Sequence, residues 1–142
     1  MPLPAPGDRI ARDREAGFGS RTWYFPDGDR PPHVDGAYEP HEALLIMNVA
    51  DRPAHVEIDV FWTDRAPTLG LVVTIEAERV ASVRAPWANR DADGNAFDIP
   101  VREQYAMRVR SDVPVICQYG RLEMDPSFML YTTMGLPDVD DA

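Results

Sequence analysis

The sequence predicts an all-β fold, an antiparallel β-sandwich of about eight strands with jelly-roll character. Three observations carry that expectation. Apolar residues recur with period two along several short runs. Turn-forming residues interrupt the chain at close intervals. No stretch longer than about three turns shows helical periodicity free of Gly or Pro.

The elements follow in chain order. Residues 1–19, rich in Pro, Gly and charge, read as a flexible arm; residues 20–137 form one β-sandwich domain; residues 138–142 read as an acidic tail. Arg21 to Phe25 is the first expected strand and Leu44 to Val49 the second. In His55 to Trp62 the alternation is strictest: Val56, Ile58, Val60 and Trp62 fall on the core face, His55, Glu57 and Asp59 on a solvated one. Leu71 to Ile75, Val80 to Val83, Tyr105 to Val109, Val113 to Tyr119 and Phe128 to Thr133 complete the set. The breaks carry turn chemistry at Pro26-Asp27-Gly28, Asp51-Arg52-Pro53, Arg65-Ala66-Pro67, Asp91 to Asn95 and Asp112-Val113-Pro114.

Length and charge narrow the function. A chain of 142 residues fits one core. Its longest apolar runs, Ala43 to Met47 and Leu69 to Val73, are far shorter than the ~20 residues of a membrane helix. Met1 to Gly7 lacks the pattern of a secretory leader, and the single Cys117 forms no internal disulfide, so a cytoplasmic location is expected. A net charge of −10, with every basic residue an Arg, repels phosphate backbones and argues against nucleic acid as the main partner.

No catalytic or cofactor motif is present: neither a nucleophile elbow, nor a phosphate-cradling glycine loop, nor paired Cys ligands. Cys117 lies in an apolar run and reads as a small core residue. His41, Glu42 and His55 lack close ligand spacing, and Asp91 to Asn95 has its glycine in the wrong place for a calcium loop, so no metal is expected. Trp23, Trp62 and Trp87 are candidate sugar platforms, with Trp62 assigned to the core. Gln118-Tyr119-Gly120-Arg121 closes an apolar strand with planar hydrogen-bonding groups and a stacking ring, which suits a sugar or carboxylate. The other reading of Arg121 is an ion pair to Glu39 or Glu42. Apolar residues at consecutive positions in Val113 to Tyr119 and Phe128 to Thr133 point to a second buried surface, supplied by another subunit.

Several blocks in order resemble one family. Glu39-Pro40-His41-Glu42 running through Asn48-Val49-Ala50 into Ala54-His55-Val56-Glu57-Ile58 is similar to the sensory rhodopsin transducer family, with its S-H-E triplet and A-H-V-E-I strand. Asp64 to Pro67, the segment with Arg79 and Arg84, and Ser111-Asp112-Val113-Pro114-Val115-Ile116 with Gln118, Arg121 and Leu122 also resemble it. Pro40 departs from the family's Ser, and Tyr119-Gly120 from its His-Thr. The resemblance implies a β-sandwich homotetramer without a cofactor. It also implies a soluble partner of a membrane photoreceptor of rhodopsin type, with a small carbohydrate-like or anionic ligand. The polar set expected to bind is His41, Glu42, Asn48, Arg79, Gln118 and Arg121. His41 and Glu42 orient the ligand, the arginines bind its anionic or hydroxyl groups, and Gln118 completes the hydrogen bonding. Asn48 precedes a turn and has a competing structural role. The alternatives are a carbohydrate-active enzyme using His41, Glu42 or Glu39 as acid and base, and a purely structural oligomer. A carboxylate with a raised pKa in the pocket would favour the enzyme.

Overall fold

The computed structural model describes residues 18–84, 94 and 98–138. Most of the expected arm and tail, Trp87, and all but Gly94 of the Asp91 to Asn95 turn lie outside the described residues. Among those described, no helix is present and eight strands form: β1 Ser20–Asp29, β2 His41–Asn48, β3 Ala54–Trp62, β4 Thr68–Ile75, β5 Arg79–Arg84, β6 Gln104–Glu123, β7 Met129–Met134 and β8 Leu136–Pro137. All pairings between strands are antiparallel, so the fold class is as expected. No helix among these residues is long and apolar enough to cross a membrane.

One strand organises the rest. The sequence predicts separate strands at Tyr105 to Val109 and Val113 to Tyr119, divided by a turn at Pro114. They are instead one 20-residue strand, β6. Its first half lies between β3 and β1, and its second half between β2 and β7. Pro114 falls where the partners change and has no cross-strand partner itself, so its missing N–H breaks no ladder bond. β4 extends the layer beyond β3, β5 the layer beyond β2, and the two-residue β8 covers part of β1.

The core lies between the two halves. Val56, Ile58 and Val60 of β3 meet Leu44 and Ile46 of β2 together with Met107, Val109, Val115 and Cys117 of β6, all essentially inaccessible. Each such side chain contributes ~1.5–3 kcal/mol by leaving water. Cys117 is a core residue, and burial pushes its thiol up to about 12. Trp62 is only partly buried against this core, at the end of the alternating run.

Asp59 corrects the expected solvation of its face. Glu57 is half-exposed, but the Asp59 side chain is fully buried. The β3–β6 register runs unbroken through Asp59, which keeps the face of Glu57 and is covered there by Arg108 and Arg110. Asp59 Oδ2 accepts from Arg108 Nε at 3.0 Å and Nη2 at 2.8 Å and from Arg110 Nη2 at 3.0 Å, while Oδ1 accepts from Gly70 N at 3.1 Å. Buried charge is tolerated because both oxygens find donors, two of them guanidinium groups.

Candidate functional site

Strand alternation places Glu42, Leu44, Ile46 and Asn48 on the inner side of β2, so a carboxylate stands at the end of an apolar stripe. Glu42 is 2% exposed. Tyr105 and Tyr119, from opposite halves of β6, both donate their hydroxyls to its Oε2, at 2.5 and 2.7 Å. The Tyr119 hydroxyl in turn accepts from Asp29 N at 3.5 Å. Burial raises the proton affinity of Glu42, and that effect outweighs the two tyrosine hydrogen bonds and the charge of Arg121. Burial first, then the Glu42 charge, hold both tyrosine hydroxyls well above their ordinary value, so they remain donors.

The position of Tyr105 depends on Gly28, its partner in the β1–β6 register. A Cβ at residue 28 would stand 2.4 Å from the Tyr105 ring. The tyrosine therefore lies against bare backbone on its way to Glu42.

Arg121 stands directly opposite Glu42 in the β2–β6 register and is 9% exposed. The expected ion pair to Glu39 or Glu42 does not form. Nε lies 3.2 Å from Glu123 Oε1 and Nη1 3.9 Å from Asp27 Oδ1, with the guanidinium 5.3 Å from the Tyr131 ring centroid. Arg102 supports the same cluster: Nη1 donates to Glu123 Oε1 at 2.8 Å and Nη2 to Asp125 O at 3.0 Å. Glu42 Oε1 and the Nε and Nη1 of Arg121 are buried without a hydrogen-bond partner.

Beside this cluster opens a polar cleft of about 250 Å³, bordered by Arg30, His33, Glu39, His41, Glu42 and Arg84. His41 Nδ1 lies 2.8 Å from Glu39 O. A carbonyl only accepts, so Nδ1 carries a proton, and in the neutral ring Nε2 is the acceptor. Arg30 is held by Asp98 Oδ1 and Ile99 O, each at 2.8 Å.

The six expected residues therefore do not form one site. His41 and Glu42 share the cleft, and Arg121 packs behind Glu42. Gln118 lies on the other side of β6, between Leu45 and Met134. Asn48 and Arg79 pair at the far end of β2. Asn48 is the turn clamp: Nδ2 donates to Arg52 O at 2.8 Å and approaches Ile75 O and Glu76 O at 3.2 Å, while Oδ1 accepts from Ala50 N at 2.9 Å. Sequence reasoning missed Tyr105 and Tyr119 as partners of Glu42. The available signal is that an inward tyrosine on a core strand needs a hydroxyl partner. Arg30, His33 and Arg84 carry no such signal, because the β1–β2 connection and the end of β5, far apart in sequence, bring them together.

Comparison with known proteins places this geometry in context. The family model described as Anabaena sensory rhodopsin transducer matches residues 18–137. The chain is 30% identical to the protein in the crystal structure of Thermotoga maritima 1070, covering 85% of this chain and 97% of that one with a TM-score of 0.73. It is also 30% identical to the Anabaena sensory rhodopsin transducer, covering 72% of this chain and 88% of that one with a TM-score of 0.57. None of the curated proteins matches it.

Proposed function

Because the chain belongs to the Anabaena sensory rhodopsin transducer family, we propose that it is a soluble cytoplasmic signalling module that docks with a membrane photoreceptor of rhodopsin type. It acts as a homotetramer and catalyses no reaction. The observation that carries this reading is the family match over residues 18–137, which takes in every strand of the fold. The cleft beside Glu42 receives a small anionic or hydroxyl-bearing ligand. Arg30 and Arg84 supply positive charge on its wall, and His41 Nε2 supplies an acceptor. Ligand occupancy and receptor docking would then be read by one small domain.

The test is binding of the purified chain to a rhodopsin-type photoreceptor in lipid nanodiscs, in the dark and under illumination. Affinity that changes with light is expected, and no binding in either state overturns the reading. For the cleft, a panel of hexoses and hexuronic acids is tested by thermal shift. A member that raises Tm should lose its effect in Arg84→Ala.

One observation favours the enzyme reading, namely the raised proton affinity of Glu42. Its geometry argues for binding instead. Oε2 is engaged by two tyrosines and Oε1 is buried, which favours a structural carboxyl over a proton donor to substrate. Nitrophenyl glycosides should be left unhydrolysed; turnover lost in Glu42→Gln would establish the enzyme.

A further inference from the structure

Tyr105 and Tyr119 engage one oxygen of Glu42 and leave the other over. Oε1 is buried and has no partner among the described residues, yet Glu42 borders the cleft of about 250 Å³. A buried polar atom left unpaired is costly, and a ligand seated against it recovers that cost. Two further groups on this cleft are open. His41 Nδ1 is tied to Glu39 O, which leaves Nε2 of the neutral ring. Arg84 makes no ion pair with any described residue, whereas Arg30 is held by Asp98 and His33 by Asp35. Arg84 stands opposite Ala43 in the β2–β5 register, so it shares a face with His41, one diagonal step away. Two other clefts, both along Tyr24 to Pro26, offer nothing comparable. Arg108 borders one of them but is already bonded to Asp59, and neither is bordered by a buried unpaired atom.

The three open groups specify a ligand between them. Arg84 presents a planar fork of N–H donors, which suits a carboxylate. Glu42 calls for a different group. Burial raises its proton affinity, so Oε1 is an acceptor in one form and part of a donor carboxyl in the other. A hydroxyl both donates and accepts, and it pairs with either form; a second carboxylate is repelled once Glu42 ionises. His41 Nε2 likewise takes a hydroxyl proton. Charge sets the upper limit. The charge of Arg30 is met by Asp98, and Glu39 borders the cleft, so Arg84 serves a single anionic group. A doubly charged phosphate would face Glu39 and a chain of net charge −10.

We propose that this cleft is a site for a small hydroxy monocarboxylate, its carboxylate on Arg84 and its hydroxyls on Glu42 Oε1 and His41 Nε2. This rests on the ligand reading above and narrows it to one class, with acid and hydroxyl in the same molecule.

The experiment uses the full chain. Isothermal titration calorimetry measures lactate, glycerate, gluconate and glucuronate. The comparators are glycerol and glucose, which lack the carboxylate, propionate, which lacks the hydroxyl, and glycerol 3-phosphate, which adds a second charge. At least one hydroxy acid is expected to bind roughly tenfold or more tightly than every comparator, the worth of one charge-assisted hydrogen bond. Arg84→Gln is expected to remove the advantage of acid over alcohol. Arg79→Gln, on the same strand but beside Asn48, is expected to leave it unchanged. The imidazole NMR signals of His41 are expected to move with the hydroxy acid and those of His55, on β3, to stay. A neutral sugar, propionate or the phosphate ester that binds as tightly, moves His41 and is lost in Arg84→Gln overturns the class and leaves the ligand reading standing. A hydroxy acid that keeps its advantage in Arg84→Gln and leaves His41 unmoved overturns the site. If no compound moves His41, the class and the ligand reading both fall.

Discussion

Glu42 and Arg121 face each other across the β2–β6 ladder, each buried, and neither neutralises the other. The carboxylate turns to two tyrosine hydroxyls, and the guanidinium turns to Glu123 and Asp27. Two charges that could cancel at close range are thus turned to different partners, the carboxylate to hydroxyl donors and the guanidinium to other carboxylates. The carboxylate consequently stays without a direct cationic partner, and burial governs its protonation.

That arrangement has a pH signature. The fold raises the proton affinity of Glu42 above its ordinary value near 4.5, so between that value and its folded value the folded state holds a proton that the unfolded chain has released. The stability Glu42 contributes is complete below pH 4.5 and is lost as pH rises through the folded value. Glu42→Gln keeps an oxygen acceptor for both tyrosines and removes the titration. Its stability relative to wild type should climb with pH across this window, by at most ~1.4 kcal/mol per pH unit for a single proton. Urea denaturation at a series of pH values measures it, and a difference that is flat with pH refutes it.

Asp59 should be far less replaceable than the arginines around it. Asp59→Ala leaves two guanidinium groups without their shared acceptor and opens a hole beneath them. The cost expected is about 3 kcal/mol, at the low end for breaking a buried pair because Arg108 and Arg110 are part-exposed and can rehydrate. Arg110→Ala should cost under ~1 kcal/mol, since Arg108 still grips Asp59 through two N–H groups. Equal denaturation midpoints for the two variants would show that Asp59 is not the centre of the cluster.

Gly28→Ala tests the seat of Tyr105. The added methyl cannot coexist with the ring at 2.4 Å, so the tyrosine must move and its bond to Glu42 must lengthen. Overpacking of this kind costs ~1–3 kcal/mol. Combining it with Tyr105→Phe should give less than the sum of the two single effects, because both act on one hydrogen bond. Simple additivity would separate Gly28 from the Glu42 system.

Much of the fold is legible in the letters. Val56, Ile58 and Val60 announce β3 through their spacing, and turn residues separate most of the strands. What escapes is where a rule of local chemistry is overridden from a distance. Pro114 reads as a turn, yet it sits in the short stretch of β6 where the strand changes partners and no ladder bond is needed. Asp59 reads as solvated by parity, but two arginines from β6 close over that face and turn it into a buried anchor. At the site, His41 and Glu42 are adjacent in sequence and stay together in space. Gln118, three positions from Arg121, has the opposite parity and points away, while Asn48 and Arg79 lie a whole strand length from the cleft. Residue type identified hydrogen-bonding capacity; the ladder decided which groups could share it.

The shared strand β6 also orders events in time. β1, β2 and β3 all register against residues 104–123, and the two halves of the core are tied to each other through that segment. During synthesis the β2–β5 and β3–β4 ladders can pair first, but β6 joins them into one sheet and adds its share of the core only once it has left the ribosome. Between the synthesis of β5 and that of β6, the nascent chain holds these two ladders without the side chains that β6 adds to the core. Dependence on a holding chaperone should therefore be concentrated before residue 123 emerges and should end soon after.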